Sequence, residues 1–132
     1  MPPSSSAFSK LSPVIVVDAI EPCLGFWTGL GFEKTAEVPE GDKLGFAVLA
    51  KDTVEVMYQT KASVAADVAA LAPIVAGQTA TLFIEVSDID SVERAVKGQQ
   101  ILVPRRKTFY GSDEFFVRAP CGTVVGFAQF PK

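Results

Sequence analysis

The side chains that could do chemistry are few, and the most versatile one is missing. The chain has no histidine. That removes the usual general base near neutral pH and the usual transition-metal ligand, and with them Ser-His-Asp and Cys-His catalysis. Among the acids, Glu55 in "VEVMY" draws attention because strand alternation puts Thr53, Glu55 and Met57 on one face and Val54, Val56 and Tyr58 on the other. If the first face lines a cavity, Glu55 is a carboxylate in a partly apolar cup. Its pKa rises there, and it can bind a cation or act as a base. The plainer alternative is a Glu55 that pairs with an arginine or faces water. Cys23 and Cys121 fall in a predicted helix and a turn, without a Cys-x-x-Cys partner, so no disulfide framework is implied. Neither has a neighbouring cation to make it a reactive thiolate.

The aromatic residues form the second group. Trp27, Phe46, Phe83, Phe109, Tyr110, Phe115 and Phe116 are many for one small domain, and core packing is the default for each. Phe83 lies two residues from Thr81 and shares its face. Phe46 points inward from the first hairpin, whereas Phe109 and Tyr110 fall in a loop. A cavity with aromatics and one carboxylate suits a planar or cationic organic molecule. Arg118, before an Ala-Pro-Cys-Gly turn, reads as a structural residue of that turn. Ser112, Asp113 and Glu114 read as a turn and a solvated strand start, and Arg105-Arg106-Lys107 as a solvated loop.

These residues must be positioned by one compact domain, since the chain has 132 residues, 48% of them hydrophobic. A net charge of −3 makes nucleic acid a poor partner. The apolar runs fall short of a membrane span, so no membrane association is expected. The start, Met-Pro-Pro-Ser-Ser-Ser, lacks a signal-peptide pattern, and a reducing cytoplasm is the expected location. Residues 1–8 read as a disordered tail. "LSPVIVVDA" reads as a strand, and "IEPCLGFWTGLGF" as a helix with Pro22 in its first turn and Gly29 and Gly31 ending it. "FEKTAEV", "KLGFAVLA" and "DTVEVMYQT" follow as strands. After an Ala-rich connector at 61–79, with one short helix ended by Pro73 and Gly77, the pattern begins again. "TLFIEV" is a strand, "SDIDSVERAVKG" a capped helix, "QQILVPRRK" a strand that becomes a loop, and "DEFFVRA" and "TVVGFAQF" the last strands.

The chain thus repeats β-α-β-β-β with a period of about seventy residues. The repeat aligns Ile20 with Ile89, Gly29 with Gly98, Phe32 with Ile101, and Phe46 near Phe116. A three-stranded unit with one helix leaves a sheet face bare. Two such units, module 1 at about 9–60 and module 2 at about 80–131, can share a curved mixed sheet with helices outside and a central cup. The expected class is α+β.

"VVDAIEPCLGFWTGLGFE", "TLFIEVSDIDSVERAV" and "YGSDEFFVRAPCGTVVGFAQF" together resemble the vicinal oxygen chelate superfamily, which holds glyoxalase I, extradiol dioxygenases and the bleomycin and fosfomycin resistance proteins. The resemblance spans nearly the whole chain after the tail. In metal-binding members it implies four ligand positions, which fall here on Ser12, Glu55, Thr81 and Gly126. One carboxylate beside two hydroxyls and a glycine does not make a divalent metal site, so no metal and no cofactor are expected. The resemblance implies a metal-independent, homodimeric small-molecule binding protein of the bleomycin-resistance type. Its ligand-facing residues would be Ser12, Phe46, Glu55, Met57, Thr81, Phe83, Phe109, Tyr110, Phe116 and Gly126. Three alternatives stand beside it: a metal-free isomerase or hydrolase using Glu55 as general acid–base, a divalent-metal lyase or dioxygenase with a relocated site drawing on Glu55, Asp113 and Glu114, and an interaction module with a filled cup.

Overall fold

The computed structural model describes residues 9–77 and 79–131, so the tail at 1–8 lies outside the described residues. Module 1 runs β1 (Val14–Val17), α1 (Glu21–Gly29), β2 (Glu33–Glu40), β3 (Lys43–Lys51) and β4 (Val54–Thr60). The connector holds α2 (Lys61–Asp67), a 3-10 turn (Ala69–Leu71) and α3 (Ala72–Val75). Module 2 runs β5 (Thr81–Glu85), α4 (Ile89–Ala95), β6 (Gln100–Lys107), β7 (Asp113–Arg118) and β8 (Val124–Gln129). Each module builds one four-stranded sheet, ordered β1-β4-β3-β2 and β5-β8-β7-β6. In both, the first strand pairs parallel with the last and the other pairings are antiparallel. The βαβββ repeat is therefore the architecture: α+β, two curved mixed sheets that do not close on themselves.

Local chemistry explains the element ends. Pro22 sits in the first turn of α1, where its missing N–H costs nothing. Gly31, just past α1, takes φ +95°, and Gly98, past α4, takes φ +99°, a left-handed region that favours glycine. The left-handed partner of Gly98 is thus Gly31 rather than Gly29, because α1 runs two residues longer than α4. Thr60 caps α2 by accepting the Ser63 N–H at 3.1 Å, and Asp88 caps α4 by accepting the Ser91 N–H at 3.3 Å. Pro73 begins a helix, α3, instead of ending one, since a first turn tolerates it. Arg105-Arg106-Lys107 continue β6 and do not form a loop. The outer strands β2 and β6 each contain a proline, Pro39 and Pro104, and each breaks register twice against its neighbour.

One core serves both modules. Trp27 and Phe26 of α1 pack with Tyr58, Leu49 and Val56 of module 1, and the same cluster includes Phe115, Phe127 and Val125 of module 2. Trp27 is fully buried and meets Phe26 and Phe32 edge-on at 5.1 and 4.8 Å. Burial of residues this large dominates the stability of so small a domain.

Two ties to one turn hold the modules together. The Trp27 indole N–H donates to the Tyr58 hydroxyl at 2.9 Å, and Tyr58 shares a 3.1 Å hydrogen bond with Thr123 in the β7–β8 turn. Burial pushes the Tyr58 pKa up. Beside them Cys23 and Cys121 form a disulfide, Cα atoms 5.3 Å apart and 98 residues apart in sequence. This corrects the sequence expectation of two unpaired cysteines. Spacing along the chain carries no sign of a pair that only tertiary packing brings together.

Candidate functional site

The face of each sheet turned away from the core is set by strand register. In module 1, Val14 pairs with Met57 and Phe46 with Gln59, so Val14, Phe46, Met57 and Gln59 share one face, and Glu55 joins them by alternation. Val56 and Tyr58 turn to the core. Phe46 and Met57 are half-buried on the open face.

Glu55 is not a free carboxylate. Lys10 donates to it at 2.9 Å, and the Ser12 hydroxyl donates to its other oxygen at 2.5 Å. The Lys10 hydrogen bond, followed by that of Ser12, holds the Glu55 pKa below the ordinary carboxylate value. The expected rise is therefore corrected to a fall. Isolation in an apolar cup would have raised it, but the segment before β1 brings its own cation and donor. The pairing alternative holds, with Lys10 in place of an arginine.

In module 2, Phe83 pairs with Gly126 and Gly126 with Phe116, so these three form one row across β5, β8 and β7. The Phe116 ring lies over Gly126, where a side-chain Cβ would collide with it. Phe83 and Phe116 face each other with ring centroids 6.3 Å apart, and Phe83 is half exposed. Thr81 stands opposite Val124, so the residue placed against Thr81 as Glu55 is against Ser12 has no ligating side chain either.

Along β7, Glu114 lies on the same face as Phe116 and is fully buried, which corrects its reading as a solvated strand start. Tyr110 donates its hydroxyl proton to one Glu114 oxygen at 2.6 Å, and Arg106 donates to the same oxygen at 3.0 Å. The other oxygen, Oε2, is buried with no hydrogen-bond partner. Alternation in "DEFFV" puts Glu114 on the face of Phe116, opposite the core-facing Phe115 and Val117; its burial comes from Arg106 and Tyr110, which no local pattern announces. Next to it, Arg105 binds Asp113 at 2.7 Å and reaches Asp90 and Glu93 of α4 at 2.9 and 3.0 Å. Its hydrogen bond lowers the Asp113 pKa. The basic cluster is thus a set of ion pairs fastening α4 to β6 and β7.

Phe109 and Tyr110 form the tip of the β6–β7 connection, edge-on to each other at 5.0 Å, with Phe109 wholly exposed. The base of that tip is latched: Thr108 and Ser112 share a 2.9 Å side-chain hydrogen bond, and their backbones are joined by another.

The predicted ligand-facing residues therefore gather in separate places. Ser12 and Glu55 touch. Phe83, Phe116 and Gly126 form one cluster, and Phe109 and Tyr110 another beside it. Thr81 lines a cavity of about 590 Å³ between β1 and the β7–β8 turn, together with Val14, Val16, Arg118 and Val124. Phe46 lines a cavity of about 600 Å³ on the module 1 face, with Val38, Gln59 and Ser63. Arg118 reaches the Gly122 carbonyl at 3.4 Å, in keeping with its role at the turn.

The four positions do not suit a metal ion. Glu55 is engaged by Lys10 and Ser12, Thr81 offers only a hydroxyl, and Phe116 covers Gly126. No group of three His, Cys, Asp or Glu side chains converges among the described residues. Nor is any helix among them long and apolar enough to cross a membrane.

No protein-family model matches the sequence, and no curated protein matches it. Solved structures do match by shape. A glyoxalase/bleomycin resistance protein/dioxygenase from Nocardioides aligns over 98% of this chain and 87% of its own, with TM-score 0.74 and 15% identity. TioX from Micromonospora sp. ML1 aligns over 94% and 100%, with TM-score 0.72 and 15% identity. A lactoylglutathione lyase from Agrobacterium tumefaciens aligns over 96% and 95%, with TM-score 0.70 and 16% identity. The fold of this chain is that of the vicinal oxygen chelate proteins. At these identities the likeness extends to fold and not to activity.

Proposed function

We propose that the protein is a metal-independent small-molecule binding protein that sequesters an aromatic or cationic compound, as in antibiotic resistance. One observation carries this reading: the Phe116 ring occupies the space over Gly126 and packs towards Phe83, which makes the fourth ligand position an aromatic surface. Flat ligands stack on such surfaces, and cations are drawn to aromatic faces. The name of the Nocardioides neighbour covers glyoxalase, bleomycin resistance protein and dioxygenase, and so spans both binding and catalysis. The Agrobacterium neighbour is named as a lyase, which keeps an enzyme in view. General acid–base work by Glu55 gains no support, since a carboxylate held low by Lys10 and Ser12 is a weak base at neutral pH.

The open faces support a homodimer within the same proposal. Val14, Val38 and Phe83 are each about half exposed, apolar surface that a second copy would cover while completing the cup. A cytoplasmic location also belongs to the proposal, and it sits against the Cys23–Cys121 bond because disulfides are rare in reducing compartments. Thiols that alkylate in freshly lysed cells support the cytoplasm; a protected pair counts against it.

Native mass spectrometry of untagged protein tests the whole reading. The expected spectrum shows a dimer of 14.0 kDa chains, without metal and with an organic adduct or an empty site that binds flat cations. A stoichiometric divalent metal sinks it.

A further inference from the structure

Glu114 is the buried acceptor that the fold leaves unused. Its Oε1 is doubly engaged, by Tyr110 at 2.6 Å and Arg106 at 3.0 Å, while Oε2 has no partner. A carboxylate oxygen stripped of water and left unbonded is costly, and each such group in a folded protein calls for a partner or a role. Its surroundings name the chemistry. The residue shares a face with Phe116. Tyr110 sits over it, flanked by Phe109 at 5.0 Å and Phe130 at 6.3 Å between ring centroids. Aromatic faces around a lone carboxylate oxygen favour a positively charged hydrogen-bond donor on a flat carrier. Glu55 cannot serve in this way, because Lys10 and Ser12 already engage its two oxygens.

One side chain covers Glu114 from the β6–β7 tip. The tip holding Phe109 and Tyr110 is fastened at its base by Thr108 and Ser112. At its end, the hydrogen bond found for the Tyr110 side chain is the one to Glu114.

We propose that Glu114 is the charge-recognising residue of module 2. The protonated amine of a planar aromatic ligand donates to Oε2, and the Tyr110 side chain swings aside to admit it. This rests on the binding reading above and deepens it by naming the ligand class, an aromatic ammonium, and the residue that selects it.

The test compares two fluorescent probes of matched shape, 1-naphthylmethylammonium and the neutral 1-naphthylmethanol, on the whole chain. Wild type is expected to prefer the ammonium by about ten-fold, the size of one charge-assisted hydrogen bond. Glu114→Gln should abolish that preference and leave alcohol binding within about two-fold, since the naphthyl contacts are untouched. Tyr110→Phe keeps the ring, removes one of the two donors to Oε1 and should tighten the ammonium by roughly three-fold. That variant also carries the test should Glu114→Gln fail to fold. Equal binding of the two probes by wild type overturns the Glu114 proposal and leaves the binding reading standing. So does a preference lost in Glu55→Gln but kept in Glu114→Gln, or a Tyr110→Phe variant that binds the ammonium more weakly. Binding of neither probe overturns both.

Discussion

Laid over each other in register, the two modules put their charge at opposite ends of the same face. The repeat that aligns Ile20 with Ile89 brings Ser12 onto Thr81 and Met57 onto Gly126. Glu55, held against Ser12 in module 1, then falls on Val124, which stands opposite Thr81 in module 2. At the other end, Phe46 opposite Gln59 falls on Glu114 opposite Ala128. The fold supplies equivalent slots, and residue choice decides which slot is ionic. Surroundings then decide what the charge can do. Glu55 is met by a surface lysine, whereas Glu114 is sealed in with half its bonding capacity unused.

The largest effect should come from the joint between the modules. Replacing both Cys23 and Cys121 by serine opens a cross-link spanning 98 residues. Loop entropy sets the expected loss at about 4–5 kcal/mol, read from urea midpoints of oxidised and variant protein. A loss below about 1 kcal/mol would mean that each module stands by its own packing.

The contrast between the two carboxylates comes next. Arg106→Ala strands the buried Glu114 and should lower stability by about 3 kcal/mol. Lys10→Ala, which loosens an exposed pair, should leave the urea midpoint unmoved. Equal shifts would break the comparison. Smaller again is Gly126→Ala. It forces the Phe116 ring to move and should cost about 1–3 kcal/mol. Adding Phe116→Ala should remove most of that penalty; simple additivity would mean that the ring does not rest on Gly126.

The smallest effect is in the acid limb of a stability–pH curve. Asp113 and Glu21 have folded pKa values below their unfolded ones, held down chiefly by Arg105 and by the Leu44 amide. Each therefore favours the fold fully above its unfolded pKa and loses that contribution as pH falls towards the folded value. Asp113→Asn should flatten the curve below about pH 4 and leave it parallel to wild type at higher pH. A slope altered near neutrality would contradict the assignment.

The sheets were legible because period-2 patterning in "VEVMY" and "TLFIEV" and the capped helix at Asp88 are local signals. The repeat made the pairing of modules legible as well. The site was less so. Whether Glu55 is free depends on Lys10, which lies 45 residues away in sequence. Whether Glu114 is solvated depends on Arg106 and Tyr110 folding back over it. The Tyr58–Thr123 hydrogen bond and the disulfide are likewise long-range, and no spacing rule within a strand announces them.

The two outer strands also bear on how copies of this chain can meet. An edge strand with free N–H and C=O groups invites another strand, and from there a growing fibre. β2 and β6 decline the invitation twice over: Pro39 and Pro104 remove a donor from each, and the register breaks interrupt the ladder that a newcomer would have to match. Glu33, Lys34, Glu37 and Glu40 add charge along the exposed β2. Strand-by-strand addition is therefore opposed at these two edges, and the half-exposed Val38 and Phe83 leave the broad faces as apolar surface that a second copy can cover.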